Sequence, residues 1–179
     1  MNTTFFYALI LAVSNIVLSL VSFFLGYQTD KMAEGKWFGW LTMVLSLTLA
    51  FVLTWLGVKS VREESADKSL RYGKGVGTGF LINLYSGVIG SIYSFIYFTF
   101  INPDFADYAI DQAKQNAKNV SDAQLAQMEK IMRFMMSPAI MSIWGFLMGL
   151  FFGIVIALIV SAFLKREPQP AVEAVPPAV

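Results

Sequence analysis

Charged positions fall in clusters along the chain, and the clusters are separated by four long apolar runs. No Asp, Glu, Lys or Arg occurs in Met1–Thr29, Trp37–Val58, Gly75–Pro103 or Phe134–Leu164, runs of 29, 22, 29 and 31 residues. A helix of about 20 apolar residues crosses a ~30 Å hydrocarbon layer, so each run is long enough for one crossing and too short for two. Lipid supplies no hydrogen-bond partners, so the crossing backbone must pair with itself, and the runs are expected to be helical. The pattern predicts an all-α membrane protein with four transmembrane helices, at about residues 5–26, 37–58, 77–101 and 141–164. A soluble four-helix bundle does not fit, because apolar residues surround the whole circumference of each segment and leave no charged outer face.

The segment between the third and fourth runs has a different period. Asn102-Pro103-Asp104 followed by Asp107 reads as a helix start, with Asn102 at the N-cap and Pro103 in the first turn. This predicts a helix over about 103–117. Asn119-Val120-Ser121 breaks it, and Ser121 with Gln124 forms a capping box for a second helix. On that helix Leu125, Met128, Met132 and Met135 are spaced three, four and three, while Glu129 and Arg133 can pair at i, i+4. The segment 103–136 is therefore expected to be amphipathic and to lie on the membrane or cap the bundle. Its adaptable Met-rich face is the alternative, a docking surface for a protein partner. Thioether ligation of copper is the weakest reading, since neither Cys nor His accompanies the methionines. Residues 167–179, rich in Pro, Ala and Val, are expected to be a disordered tail.

Small residues mark the faces on which the spans would pack. Apolar burial does not drive association in lipid; close approach and interhelical hydrogen bonds do. In the fourth span Gly145, Gly149, Gly153, Ala157 and Ser161 recur at every fourth position, a glycine zipper. The third span carries Gly75, Gly79, Asn83, Gly87 and Ser91 at the same spacing, with Ser86, Gly90 and Ser94 on an adjacent ridge. The first has a seam from Ala8 through Ala12, Asn15, Ser19 and Ser22 to Gly26. The second offers Gly39, Thr42, Ser46, Ala50 and Thr54. These faces would meet inside one bundle, or the fourth-span ridge would turn outward to a second copy or a membrane-protein partner. Asn15 and Asn83 lie well inside spans and need partners, each other among the options; an interhelical clasp is the expected role and contact with a polar substrate the alternative.

Composition narrows the chemistry. Charged residues make up 14% of the chain and hydrophobic ones 56%, which leaves too little polar surface for a wetted globule. The chain has neither Cys nor His, so thiolate and imidazole metal sites, His-based triads and disulfides are absent. The net charge of +1 gives no argument for nucleic acid as a partner. No cofactor, metal or catalytic residue is expected. Because no ionisable group lies in a span, proton relays and voltage sensing are also disfavoured. Arg71-Tyr-Gly-Lys-Gly-Val-Gly-Thr-Gly79 looks like a phosphate loop but lacks the Walker spacing, and is read as a flexible basic entry to the third span, in reach of anionic lipid. The N-terminus lacks a basic n-region, so its apolar run reads as a retained span rather than a cleaved leader.

Aromatic residues at the span ends, among them Tyr27, Trp37, Trp40, Tyr97 and Trp144, read as interfacial belts. Five basic residues, Lys59, Arg62, Lys68, Arg71 and Lys74, lie in the connector after the second span, and Lys165 and Arg166 follow the fourth. By the positive-inside bias both termini are expected in the cytoplasm, in a multi-pass protein of the bacterial plasma (inner) membrane.

These residues resemble a known family. Trp37-Phe-Gly-Trp40, Tyr72-Gly-Lys-Gly-Val-Gly-Thr-Gly-Phe80, Phe100-Ile-Asn-Pro-Asp-Phe105, and the Ser137-Pro138 start and Lys165-Arg166 end of the fourth span are similar to the bacterial membrane-protein family called domain of unknown function 4199. Many of its members have Asp where this chain has Asn102. The resemblance implies four membrane helices and implies no activity or site residue. The expected function is a non-enzymatic structural or accessory component of a membrane assembly. The alternative is a small oligomeric channel or transporter for an uncharged or weakly polar solute.

Overall fold

The computed structural model describes residues 2–32, 35–117 and 121–166, with Lys36 described by its backbone alone. The fold is all-helical: α1 (Thr3–Phe24), α2 (Lys36–Glu63), α3 (Tyr72–Ile96), α4 (Phe105–Asn116), α5 (Asp122–Met135) and α6 (Pro138–Leu164). A π-helical stretch, Tyr97–Ile101, continues α3. Four of these, α1, α2, α3 with its π-helical extension, and α6, are long and apolar enough to cross a membrane, so the chain has the architecture of a multi-pass membrane protein. The predicted tail and Asn119 lie outside the described residues.

Local chemistry sets the helix ends. The Asn2 side chain accepts from the Thr4 amide and caps α1. At the other end Gly26, at φ +84°, closes the helix in a Schellman motif. The Gly26 amide donates to the Phe23 carbonyl at 2.9 Å and the Tyr27 amide to the Ser22 carbonyl at 3.1 Å. Gly26 is thus a terminator rather than the last member of the α1 seam. Pro138 sits in the first turn of α6, where its missing amide costs nothing. Two helices run past their apolar runs: α2 reaches Glu63, and α3 begins at Tyr72, five residues before the predicted span. The glycine-rich basic entry is therefore helical rather than flexible, because Gly75 and Gly79 pack against α6 from the first turns.

The bundle has a closed half and an open half. In the closed half, the ridges of α3 and α6 interlock antiparallel: Gly75 faces Ser161, Gly79 faces Ala157, and Asn83 faces Gly153. A Cβ added at Gly79 would lie 2.8 Å from that of Ala157, and one at Gly153 would lie 2.5 Å from that of Asn83. Glycine is what allows the helices this close. Beside this seam, Val58, Leu70, Ile156, Val160 and Leu164 form one buried cluster, and Ala8, Leu11 and Ile82 form another. Paired backbone bonds between Leu70 and Arg166, at 2.8 and 3.0 Å, tie the α2–α3 connector to the end of α6. The outward faces carry Val13, Val17, Val52, Ile92 and Phe151, all exposed, as a lipid-facing belt requires.

Candidate functional site

Above the closed half the helices part and leave a cavity of about 340 Å³ between α1, α3 and α6. Its wall is built from the predicted small-residue faces. Asn15 and Ser19 come from α1, Ser86, Gly87, Gly90, Ser91 and Ser94 from α3, and Ser142 and Gly145 from α6. Tyr93, Tyr97 and Gln28 complete the polar lining. A second space of about 600 Å³ lies towards the α4–α5 end and shares Gln28 and Phe98 with the first. A third, between α1 and α2, shares Asn15, Ser19 and Gln28. Among the described residues, no side chain lining these three spaces is charged. The arrangement can offer hydroxyl and amide hydrogen bonds and no ionic contact.

Gln28 stands at the junction, and a node of buried groups holds it there. The Tyr97 hydroxyl donates to Gln28 Oε1. Asn102 Nδ2 donates to the Gln28 carbonyl at 3.0 Å and to the Tyr97 hydroxyl at 3.2 Å. The π-helical stretch makes this possible. Its wider turn ends with the Asn102 amide donating to the Tyr97 carbonyl at 2.8 Å, which places residues 97 and 102 together. This corrects the predicted role of Asn102, which does not cap α4. That helix begins three residues later, after Asp104, and Asn102 ties the end of α3 to the α1–α2 turn instead.

The intramembrane amides also differ from one expectation. Asn15 and Asn83 do not meet. Asn15 Nδ2 donates to the Leu11 carbonyl at 3.0 Å, and its Oδ1 accepts from the Ser46 hydroxyl. Asn83 Nδ2 donates to Thr54 Oγ1 at 3.0 Å and to the Gly79 carbonyl at 2.8 Å. Each therefore clasps α2, because α2 presents a hydroxyl one helix away while the two amides sit at different depths.

The glycine ridge of α6 serves two purposes. Gly153 and Ala157 pack on Asn83 and Gly79, whereas Gly145 and Gly149 are exposed and nothing lies within 4 Å of a Cβ added to either. Gly87 touches the Phe146 ring instead of the ridge. On α5, Leu125, Met128 and Met132 are half-buried, and Met132 lines the second space with Met136 and the Ala109–Asn116 side of α4. Met135 points outward with Ile131 and Phe134. The predicted face is thus divided between the interior and the surface. The capping box at Ser121 and the Glu129–Arg133 pair form as expected. Arg133 also binds Asp107 at 2.6 Å and Lys114 binds Glu129 at 2.6 Å, which fastens α5 to α4. Gln28, Tyr97, Ser86 and Ser94 carry the site, yet only the two serines lay on a predicted ridge. Gln28 sits in a short turn with no periodic signal.

Fold and site together define a four-span helical membrane protein with an uncharged cavity whose largely apolar wall carries several hydroxyl and amide groups. The chain belongs to the family described as protein of unknown function DUF4199, whose model matches residues 7–166. No curated protein and no solved structure shows a match to it.

Proposed function

We propose that this protein is a non-enzymatic component of the bacterial plasma membrane whose open half-bundle binds an uncharged, hydrogen-bonding molecule. The observation that carries this is the cavity of about 340 Å³ whose mainly apolar wall, with Ile16, Phe98 and Phe146, also presents serine, tyrosine, asparagine and glutamine side chains. A space of this size is in the range of ligand pockets, and its few polar groups converge as such sites do. The closed half, with Ile82, Ala157, Val160 and Ser161 buried across it, favours one-ended binding over a pore along a single chain. Both termini face the cytoplasm in this reading. The Leu70–Arg166 backbone bonds gather the connector's five basic residues and the Lys165–Arg166 pair at one end, where the positive-inside bias is strongest.

The test is thermal unfolding of the purified chain in detergent against uncharged hydroxylated compounds from inositol to monooleoylglycerol. A rise in Tm with at least one of them, lost in Ser94→Leu, is the expected result. No shift with any would overturn the reading.

A second reading is favoured by a separate observation. Gly145 and Gly149 leave half of the α6 ridge free for another helix, as an accessory subunit docking a membrane-protein partner or a second copy would need. Cysteine crosslinking at Gly149 in native membranes tests it: a discrete crosslinked band supports docking, and its absence removes it.

A further inference from the structure

We infer that the cavity is filled sideways from the bilayer by a lipid with an uncharged, hydroxyl-bearing head, of the diacylglycerol class. This rests on the cavity being a binding site, as proposed above.

The entrance lies between α2 and α6. In the closed half Ile156 of α6 belongs to the cluster against which Ala50 and Trp55 of α2 pack. Two helical turns earlier the same face of α6 presents Gly149, which should also meet α2. It meets nothing: a Cβ at Gly149 or Gly145 has open space around it. The flanking side chains Trp40 and Trp144 are exposed, at 68% and 62%. The open space at Gly145 and Gly149 lies just inside the belt that Trp40 and Trp144 mark, so a gap between α2 and α6 there would face the headgroup boundary and the hydrocarbon below it. Gly145 also lines the cavity, so the gap and the polar interior meet at one residue.

The interior specifies the head. Ser86 is only 8% exposed and lines the cavity, so the little of it that stays accessible can face an occupant. Ser94 and Gln28, both half-buried, line the same space. Hydroxyl and amide groups that line a cavity away from bulk water gain from a hydrogen-bonding occupant, so the cavity favours one that donates and accepts. A phosphate or carboxylate head would be stripped of water with no cation beside it, which is more costly still. A glycerol hydroxyl satisfies the serines without that penalty. The acyl chains remain in the gap between α2 and α6, and this apolar continuity favours a lipid over a water-soluble polyol.

The experiment uses the full chain in phosphatidylglycerol nanodiscs doped with a diacylglycerol carrying a diazirine near its head, with mass-spectrometric mapping of the label. The expected label falls on the Ser86–Ser94 stretch and on the peptide containing Gly145, and unlabelled dioleoylglycerol displaces it while glycerol and further phosphatidylglycerol do not. Gly149→Trp, or Gly145→Phe if the first variant fails to fold, should lower the labelling about tenfold, equivalent to ~1.4 kcal/mol of binding. Gly73→Trp, at another open glycine, should leave it unchanged. Labelling that survives both portal variants but not Ser86→Leu would overturn sideways entry and keep the binding site. Displacement by glycerol would assign the cavity to a soluble polyol and overturn the lipid. Label confined to outward residues such as Val88 and Ile92, with no competition, would overturn the inference; joined to an absence of any Tm shift, it would remove the binding site as well.

Discussion

Gly153 and Gly149 are one helical turn apart and occupy the same ridge, yet substitution should separate them cleanly. A side chain at Gly153 drives into Asn83, whose amide clasps Thr54, so Gly153→Leu overpacks the seam and breaks a hydrogen bond. A loss of about 1–3 kcal/mol in detergent unfolding is expected. At Gly149 the space is open, and Gly149→Ala should be neutral or stabilise by up to about 1 kcal/mol through reduced backbone freedom. Equal destabilisation of the two variants would refute the two-part ridge. Ser161 supplies an opposite case. Its hydroxyl is fully buried against Gly75 and has no partner among the described residues. Ser161→Ala should therefore raise stability, by about 1 kcal/mol. Spacing by four was enough to identify the ridge, because periodicity fixes which residues share a face. It does not say whether the neighbouring helix stays alongside, and that is what divides Gly153 from Gly149.

The amphipathic hairpin formed by α4 and α5 is joined by ion pairs between the two helices, beside the buried Ile110 of α4. Glu129 accepts from both Lys114 and Arg133, and these two hydrogen bonds, Lys114 first, hold its carboxyl below the ordinary value of 4.5. Arg133 is shifted upward, by Asp107 first and then Glu129, so it remains charged throughout. A carboxylate lowered in the folded state stabilises at every pH above its unfolded value, and the contribution is lost as pH falls through the lowered one. Contact between the two helices should thus be constant through neutral pH and loosen only below 4.5. Spin labels at Gln115 and Gln127 would report this as a broadened distance distribution at acid pH. The same broadening should be present at neutral pH in Glu129→Gln. A distribution that widens between pH 8 and 6 would contradict the assignment. The hairpin's helices and capping box were legible because caps and i, i+4 pairs are local. The Asn102 node was not, since a π-turn changes which residues stack and leaves no mark in an α-helical pattern. Helix ends were misjudged for a related reason: charge marks where hydrocarbon ends, and α2 and α3 continue past it into water.

At the scale of the whole molecule apolar side chains serve both as core and as surface: Val58, Ile82 and Val160 are buried beside Ser161, Thr54 and Asn83, while Val17, Phe151 and Trp144 face outward. Four charge-free runs were sufficient to read that frame. The cavity was not legible, because it arises where α1, α3 and α6 part, a matter of how the helices are disposed rather than of any residue. The proposed orientation rests on charge at the two ends. The α2–α3 connector and the end of α6 are joined at Leu70 and Arg166, so one side of the membrane carries both basic clusters, while the α4–α5 hairpin carries mixed charge on the other. The chain contains no cysteine, so single cysteines report without background. Ala66 and Gln115 are exposed at opposite ends of the bundle. In intact cells an impermeant maleimide should label Gln115→Cys and spare Ala66→Cys until the membrane is opened. Labelling of Ala66→Cys alone would invert the protein, place the cavity mouth on the cytoplasmic side, and require its ligand to come from the inner leaflet.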